Sequence, residues 1–378
     1  MDPVVYCPLE GIERALESVD DPPLVALWQA RLAIELLRHG RSPQAARALA
    51  LAETLAAPLA DDASPQAALV GSWVEGARAA DRFFKGGFAE AAERVDQALE
   101  RWRSQLPEAR VLEMTGQAAL YRYANFERPA AVQRARAVLQ AAQSPPFARF
   151  QAHFALATVL GASGMQAPAL SHFKRALSAA RETGDPFTVG SALIRMAASR
   201  AFEAWEQALD GLPDAEVLKQ AIVGLHSTIE FWQSRDQHRP LHDMHLMLAE
   251  LLVEQGRLDE ALALWEQHVP AARSPGMQSQ WVQHQAHWAR RLALAGHAER
   301  ARALLEPLAE LAPALPRGTL IRRAALHHLA RTQAALGRRE AALHGCRLEA
   351  EAVDDILQAR QRIRAEFDEA DLGELSAL

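Results

Sequence analysis

The sequence predicts an all-α protein, a stack of about eight helical hairpins finished by a long C-terminal helix. Three observations predict it. Ala and Leu dominate the 378 residues while β-branched residues are few, and Ala and Leu lose little side-chain freedom in a helix. A turn residue recurs at Gly40, Gly87, Asn125, Gly164, Gly211, Gly256, Gly296 and Gly337, with spacings of 47, 38, 39, 47, 45, 40 and 41. Around these anchors stand fixed small residues: Ala seven positions before all eight and five positions after seven of them.

The pattern has a physical reason. A helix that ends at Gly can adopt the left-handed cap at no steric cost. A second helix then runs back along the first, and the two approach closely only where small residues face each other.

Taken in order, residues 1–23 form an N-terminal segment. Its opening, MDPVVYCPLEG, lacks the basic and apolar regions of a secretory signal. The first hairpin turns at Gly40, with Leu32 and Leu36 beside its small residue, and the second at Gly87. The third, at Asn125, is degenerate. The fourth, at Gly164, is flanked by Leu156 and Leu160. The fifth departs from the rule: Glu216 replaces the Ala after Gly211. Long helices and a DGLPD turn within 186–235 are expected to bend the stack there. The sixth has Leu248 and Leu252, the seventh Trp288 and Leu292, and the eighth turns at Gly337. The stack is expected to span 24–337, with 338–378 as a capping or connecting helix. In that helix Val353, Ile356, Arg360, Ile363 and Phe367 alternate spacings of 3 and 4. This suits either a cap on the last repeat or a coiled-coil seam joining two copies. The closing LGELSAL reads as a connector towards a further domain.

Composition excludes several function classes. The net charge is −6, which argues against a direct nucleic-acid binder. No apolar run approaches the roughly 18 residues of a membrane span. The two cysteines, Cys7 and Cys346, lie far apart, so a reducing, cytoplasmic setting is expected and Cys7 is read as inert. No phosphate-binding glycine loop, nucleophile elbow or zinc motif is present. No enzyme, cofactor or metal is therefore expected.

With the clearest copy, QAHFALATVLGASGMQAPALSHFKRALSAARETGD at 151–185, the chain resembles the tetratricopeptide repeat. The resemblance covers roughly residues 24–350. Its period is nearer 40 than the usual 34, similar to the long-repeat variety of the maltose-regulon transcription activator and of sensor regions in bacterial signalling proteins such as diguanylate cyclases. The resemblance implies a right-handed α-solenoid whose first helices line a concave groove that binds a peptide or protein.

Two positions per repeat then face the groove, nine and six residues before each anchor. They contribute Arg31, Arg78, Phe202, Met247, His287 and His328 from the first series, and Trp205, Glu250, Arg290 and Arg331 from the second. Phe202, Trp205 and Met247 are candidate anchors, and Arg290 and Arg331 could grip carboxylates with a two-pronged fork. The alternative is a core role for the aromatics and a solvated face for the arginines. Eleven of fourteen histidines lie between 226 and 344. His242 and His245, like His284 and His287, stand three apart on one helix face, and His327 and His328 are adjacent. A metal site lacks a matching acidic or cysteine ligand. A pH-sensitive groove and scattered interface histidines remain open. The expected function is a non-enzymatic sensor or regulatory region. An assembly adaptor, or a small-molecule receptor built on Trp205, Met247 and Trp288, stands beside it.

Overall fold

The computed structural model describes residues 8–235, 241–270 and 278–367. Cys7 and LGELSAL lie outside the described residues. A short helix α1 (Leu9–Glu17) leads into eight hairpins. These are α2 (Pro22–Arg38) with α3 (Ser42–Ala56), α4 (Pro65–Phe84) with α5 (Phe88–Trp102), and α6 (Glu108–Ala124) with α7 (Arg128–Gln140). Next come α8 (Pro146–Ala162) with α9 (Gln166–Glu182), α10 (Pro186–Leu209) with α11 (Ala215–Gln233), and α12 (Leu241–Glu254) with α13 (Leu258–His268). The last are α14 (Gln278–Leu294) with α15 (Ala298–Leu311), and α16 (Leu320–Ala335) with α17 (Arg339–Ala365). No strand occurs among the described residues. The fold is an all-α solenoid.

All eight anticipated turns are turns, but two are out of register. Gly40, Gly164, Gly211, Gly256, Gly296 and Gly337 hold the left-handed backbone as expected. In the second hairpin that residue is Gly86 (φ 88°), one before Gly87, and in the third it is Phe126 (φ 62°), one after Asn125. The crossing residues there are Ala79 and Ala91, and Ala119 and Ala131, each 0% exposed. The failure at Glu216 also has a local cause. After Gly211 the second helix starts only at Ala215, four residues on, whereas after Gly256 it starts at Leu258. Asp214 caps it, accepting from the backbone N–H of Glu216 (2.8 Å) and Val217 (3.2 Å).

The chain divides within α10 into two compact units: Met1–Ala192 with the end from Glu366, and Leu193–Ala365. In unit 1, α2 packs on α4 and α6 on α8; in unit 2, α14 packs on both α12 and α16. Second helices pack on their partner and on the next first helix, as α5 does on α6 and α15 on α16. First helices thus form the inner layer of each unit.

Unit 1 fills much of its inner layer with its own arginines. Arg31, 2% exposed, lies over Trp28 (4.5 Å) and Trp73 (4.6 Å). Arg110 covers Trp73 at 3.4 Å. Arg38 chelates Glu35 and donates to Thr188 Oγ1 at 2.7 Å, so α2 is clasped to the start of α10. In unit 2, α17 closes on α16. At Gly345 an added Cβ would stand 2.8 Å from the Ala330 Cβ. Ile356 and Ile363 are buried, and Arg360 pairs with Glu206 of α10 at 2.8 Å. The seam positions Ile356 and Ile363 thus pack within the chain.

Candidate functional site

Unit 2 contains a cleft of about 280 Å³. Its walls are the inner faces of α12, α14 and α16, and the last turn of α10 closes one side with Trp205, Ala208 and Leu209. It gathers six of the ten residues singled out from sequence: Trp205, Glu250, His287, Arg290, His328 and Arg331. These sit at nine and six residues before their anchors, a spacing that puts them on one helix face.

At the base is Glu250, 1% exposed. One carboxylate oxygen lies 2.7 Å from His284 Nδ1, and the other accepts from Gln283 Nε2 at 3.0 Å. Burial would raise its pKa, but His284 and then His287 outweigh burial and bring it down to about 2. Glu250 is therefore an anion held by its neighbours.

Above it the rings of His287 and His328 stack in parallel, with centroids 4.0 Å apart and 5° between planes. The edge of Trp265 touches His287 at 5.0 Å. Burial lowers the pKa of His287. Burial, then His287, His327 and the Arg290 and Arg291 guanidiniums, push His328 well below the ordinary imidazole range. Arg290 Nη1 approaches His327 Nε2 (3.4 Å) and His328 Nδ1 (3.3 Å). A guanidinium only donates, so in these contacts the two imidazole nitrogens are the acceptors. His327 turns its other nitrogen, as N–H, to Glu349 Oε1 at 2.8 Å. His287 differs: neither ring nitrogen has a hydrogen-bond partner among the described residues. Its nearest carboxylate oxygen, on Glu250, is 3.6 Å away.

The cleft is lined by two carboxylates, Glu250 and Glu254, and two guanidiniums, Arg290 and Arg331, but only the carboxylates are paired. Glu254 is matched by Arg291 at 3.4 Å, and Glu250 is satisfied as described. Arg290 has only imidazoles as hydrogen-bond partners among the described residues, and burial lowers its pKa. Arg331 is exposed on the same rim. Neither has a carboxylate within ion-pair distance among the described residues. Two unmatched guanidiniums on one rim favour an anionic ligand.

The other four expected groove residues do not line this cleft. Arg31 is a buried stacking cation of unit 1. Arg78 is half-exposed and paired with Glu53 (2.6 Å) and Glu75. Phe202 packs edge-on against Trp205 (5.1 Å, 85°), supporting it rather than reaching the cleft. Met247 and Trp288 also lie off the lining of this cleft. His242 and His245 share a face, but they meet His268 of α13, at 3.0 Å between Nδ1 atoms and 4.1 Å between stacked rings. Among the described residues no group of three or more His, Cys, Asp or Glu could hold a metal ion. Gln283, Arg291 and Glu349 were not legible as site residues, because nothing in their repeat positions marks them. No described helix is long and apolar enough to cross a membrane.

Solved structures with the same helical stacking place this geometry in context. The chain shares its fold with Rap proteins. One, complexed with competence and sporulation factor, superposes with a TM-score of 0.55 at 15% identity, over 95% of this chain and 93% of that one. Aspartyl phosphate phosphatase F from Bacillus subtilis gives 0.52 at 13% identity, over 94% and 88%. The Rap conjugation gene regulator of plasmid pLS20, in complex with the Phr* peptide, gives 0.51 at 14% identity, over 95% and 91%. No family model matches the chain, and no curated protein matches it.

Proposed function

We propose that this chain is a non-enzymatic regulatory repeat module that binds a peptide by seating an acidic group of it in the unit 2 cleft. The observation that carries the reading is the pair Arg290 and Arg331, which line the same cleft and, among the described residues, form no ion pair with a carboxylate. Trp205 adds an aromatic wall suited to an apolar neighbour of that acidic group. Two of the fold neighbours were solved with a bound factor or peptide, which supports a peptide as the ligand class. The protein would act in the cytoplasm, as the sensor part of a signalling system with a diguanylate cyclase or DNA-binding output. Ligand would shift the pitch of the stack and with it α17; unchanged solution scattering on ligand addition would rule this coupling out.

The direct test captures peptides from a lysate of the source organism on immobilised wild type beside an Arg290→Glu/Arg331→Glu variant. The reading expects a peptide or protein held by wild type and lost by the variant. Equal capture by both would move the site elsewhere. A small-molecule receptor is a second reading, favoured by the small volume of the cleft, about 280 Å³; a bound mass retained in native mass spectrometry would identify it.

A further inference from the structure

We propose that the unit 2 cleft binds a carboxylate between Arg290 and Arg331 and, in doing so, takes up one proton from solvent onto His287. The proposal deepens the peptide-binding reading and rests on it for the location of the site. It adds a ligand chemistry and a proton stoichiometry.

Geometry supplies the argument. His287 is 2% exposed, lines the cleft, and has neither ring nitrogen in a hydrogen bond among the described residues. An unsatisfied buried imidazole is costly, so it is poised to gain a partner. Its neighbour in the stack, His328, cannot take the proton as readily, because its Nδ1 already faces the Arg290 guanidinium at 3.3 Å.

The charged groups around His287 act in opposite directions. From α12, Glu250 stands 3.6 Å from its Nδ1 and, with Glu254, favours a protonated ring. From its own helix, Arg291 opposes it. His284 of that helix is turned to Glu250. From α16 come the stacked His328, which burial holds neutral, its neighbour His327, turned to Arg290 and Glu349, and Arg331, which adds positive charge to the cleft. From α13 comes the ring of Trp265. From α17, Glu349 is engaged by His327. Burial tips this set towards the neutral ring in the empty protein.

A carboxylate between Arg290 and Arg331 changes that sum. It cancels the excess positive charge of the rim and offers His287 an acceptor oxygen. The charged ring is then favoured, flanked by Glu250 on one side and the ligand on the other. No bond other than the N–H on His287 is made. Its proton comes from the medium. Binding linked to uptake of one proton strengthens as pH falls, by up to about ten-fold per pH unit. The gain falls between the ligand-bound and the empty pKa of His287, the latter lying below the ordinary 6.5.

The test titrates the full chain with glutarate, with its uncharged analogue glutaramide and with inorganic phosphate. Calorimetry in buffers of different ionisation enthalpy counts protons, and nitrogen NMR reads the imidazole rings. The proposal expects glutarate to bind and glutaramide not to, with about one proton taken up near pH 6 and the His287 ring shifted to its charged form. Arg331→Gln, at an exposed position, should weaken glutarate by about ten-fold or more. His287→Asn should still bind at pH 8 and lose the proton uptake. Uptake that is absent, or unchanged in His287→Asn, overturns the proton linkage. Binding of phosphate without glutarate overturns the carboxylate assignment. If glutarate fails while peptide capture still depends on Arg290 and Arg331, this proposal falls and the peptide site stands. If glutarate binds as described but no peptide is captured, the carboxylate site stands and the peptide reading falls.

Discussion

Two buried titratable groups make acid sensitivity a property of single residues. Glu250 has its pKa lowered from 4.5 to about 2 in the fold, His284 and His287 overcoming the cost of burial. A carboxyl with a depressed folded pKa contributes stability that is present above its unfolded pKa and is lost as pH falls through the folded one. Glu250→Gln should therefore flatten the loss of stability between about pH 4.5 and 2. At neutral pH the same change should cost about 1–3 kcal/mol in denaturant unfolding, because it removes a charged acceptor from His284. In unit 1, His153 and His172 approach at 3.0 Å between Nδ1 atoms, so one nitrogen donates and the other accepts. Burial first, then His172, Arg175 and Arg149, lower the His153 pKa to about 3. The unfolded chain binds the proton more readily, so stability falls as pH drops from about 6.5 towards 3. His153→Asn should remove part of that slope; equal slopes for variant and wild type would show that the pair does not control it.

At the scale of the element, the turns and crossings are the sensitive points. Seven hairpins place Gly at the left-handed turn position and one places Phe126, at φ 62° and 75% exposed. A bulky residue there costs about 1–2 kcal/mol, and so exposed a ring offsets little of it. Phe126→Gly should stabilise the protein by about 1 kcal/mol, a shift readable as a higher Tm. Gly345 is the opposite case. Helix propensity would reward Ala by about 1 kcal/mol, but its methyl would meet Ala330 Cβ at 2.8 Å and Cα at 3.0 Å. Overpacking of about 1–3 kcal/mol outweighs the propensity, so Gly345→Ala should lower the Tm. A rise instead would mean that α16 and α17 separate at little cost.

At the scale of the molecule, repeats that touch mainly their neighbours unfold in blocks rather than all at once. The division inside α10 sets the expected boundary. Hydrogen exchange followed by mass spectrometry should show residues 22–192 and 193–365 protected to different extents, with α1 exchanging earliest. A single uniform protection across both would argue for one cooperative body. The fold neighbours match along nearly the whole chain at about one residue in seven identical. The architecture is thus shared where side chains are not, and function has to be argued from the cleft.

The sequence alone determined the number of hairpins, the place of every turn to within one residue, and one face of three successive first helices. These follow from local physics: a left-handed turn wants Gly, a close crossing wants Ala, and 3.6 residues per turn align positions nine and six before a turn. The same Ala-richness hid the two register slips. Ala79 and Ala80, or Ala91 and Ala92, satisfy the pattern equally, and the ion pairs of Arg78 with Glu53 and Glu75 were not legible from it. Only the tertiary structure decided which residues meet. Trp205 and Arg331 are far apart in sequence yet line one cleft. Gln283 and Glu349 join its network through contacts between helices, and Arg31 is consumed by two tryptophans from different hairpins. Periodicity reports the direction of a side chain from its own helix axis. What stands opposite it depends on how the hairpins stack, and that is set by the packing of the whole unit.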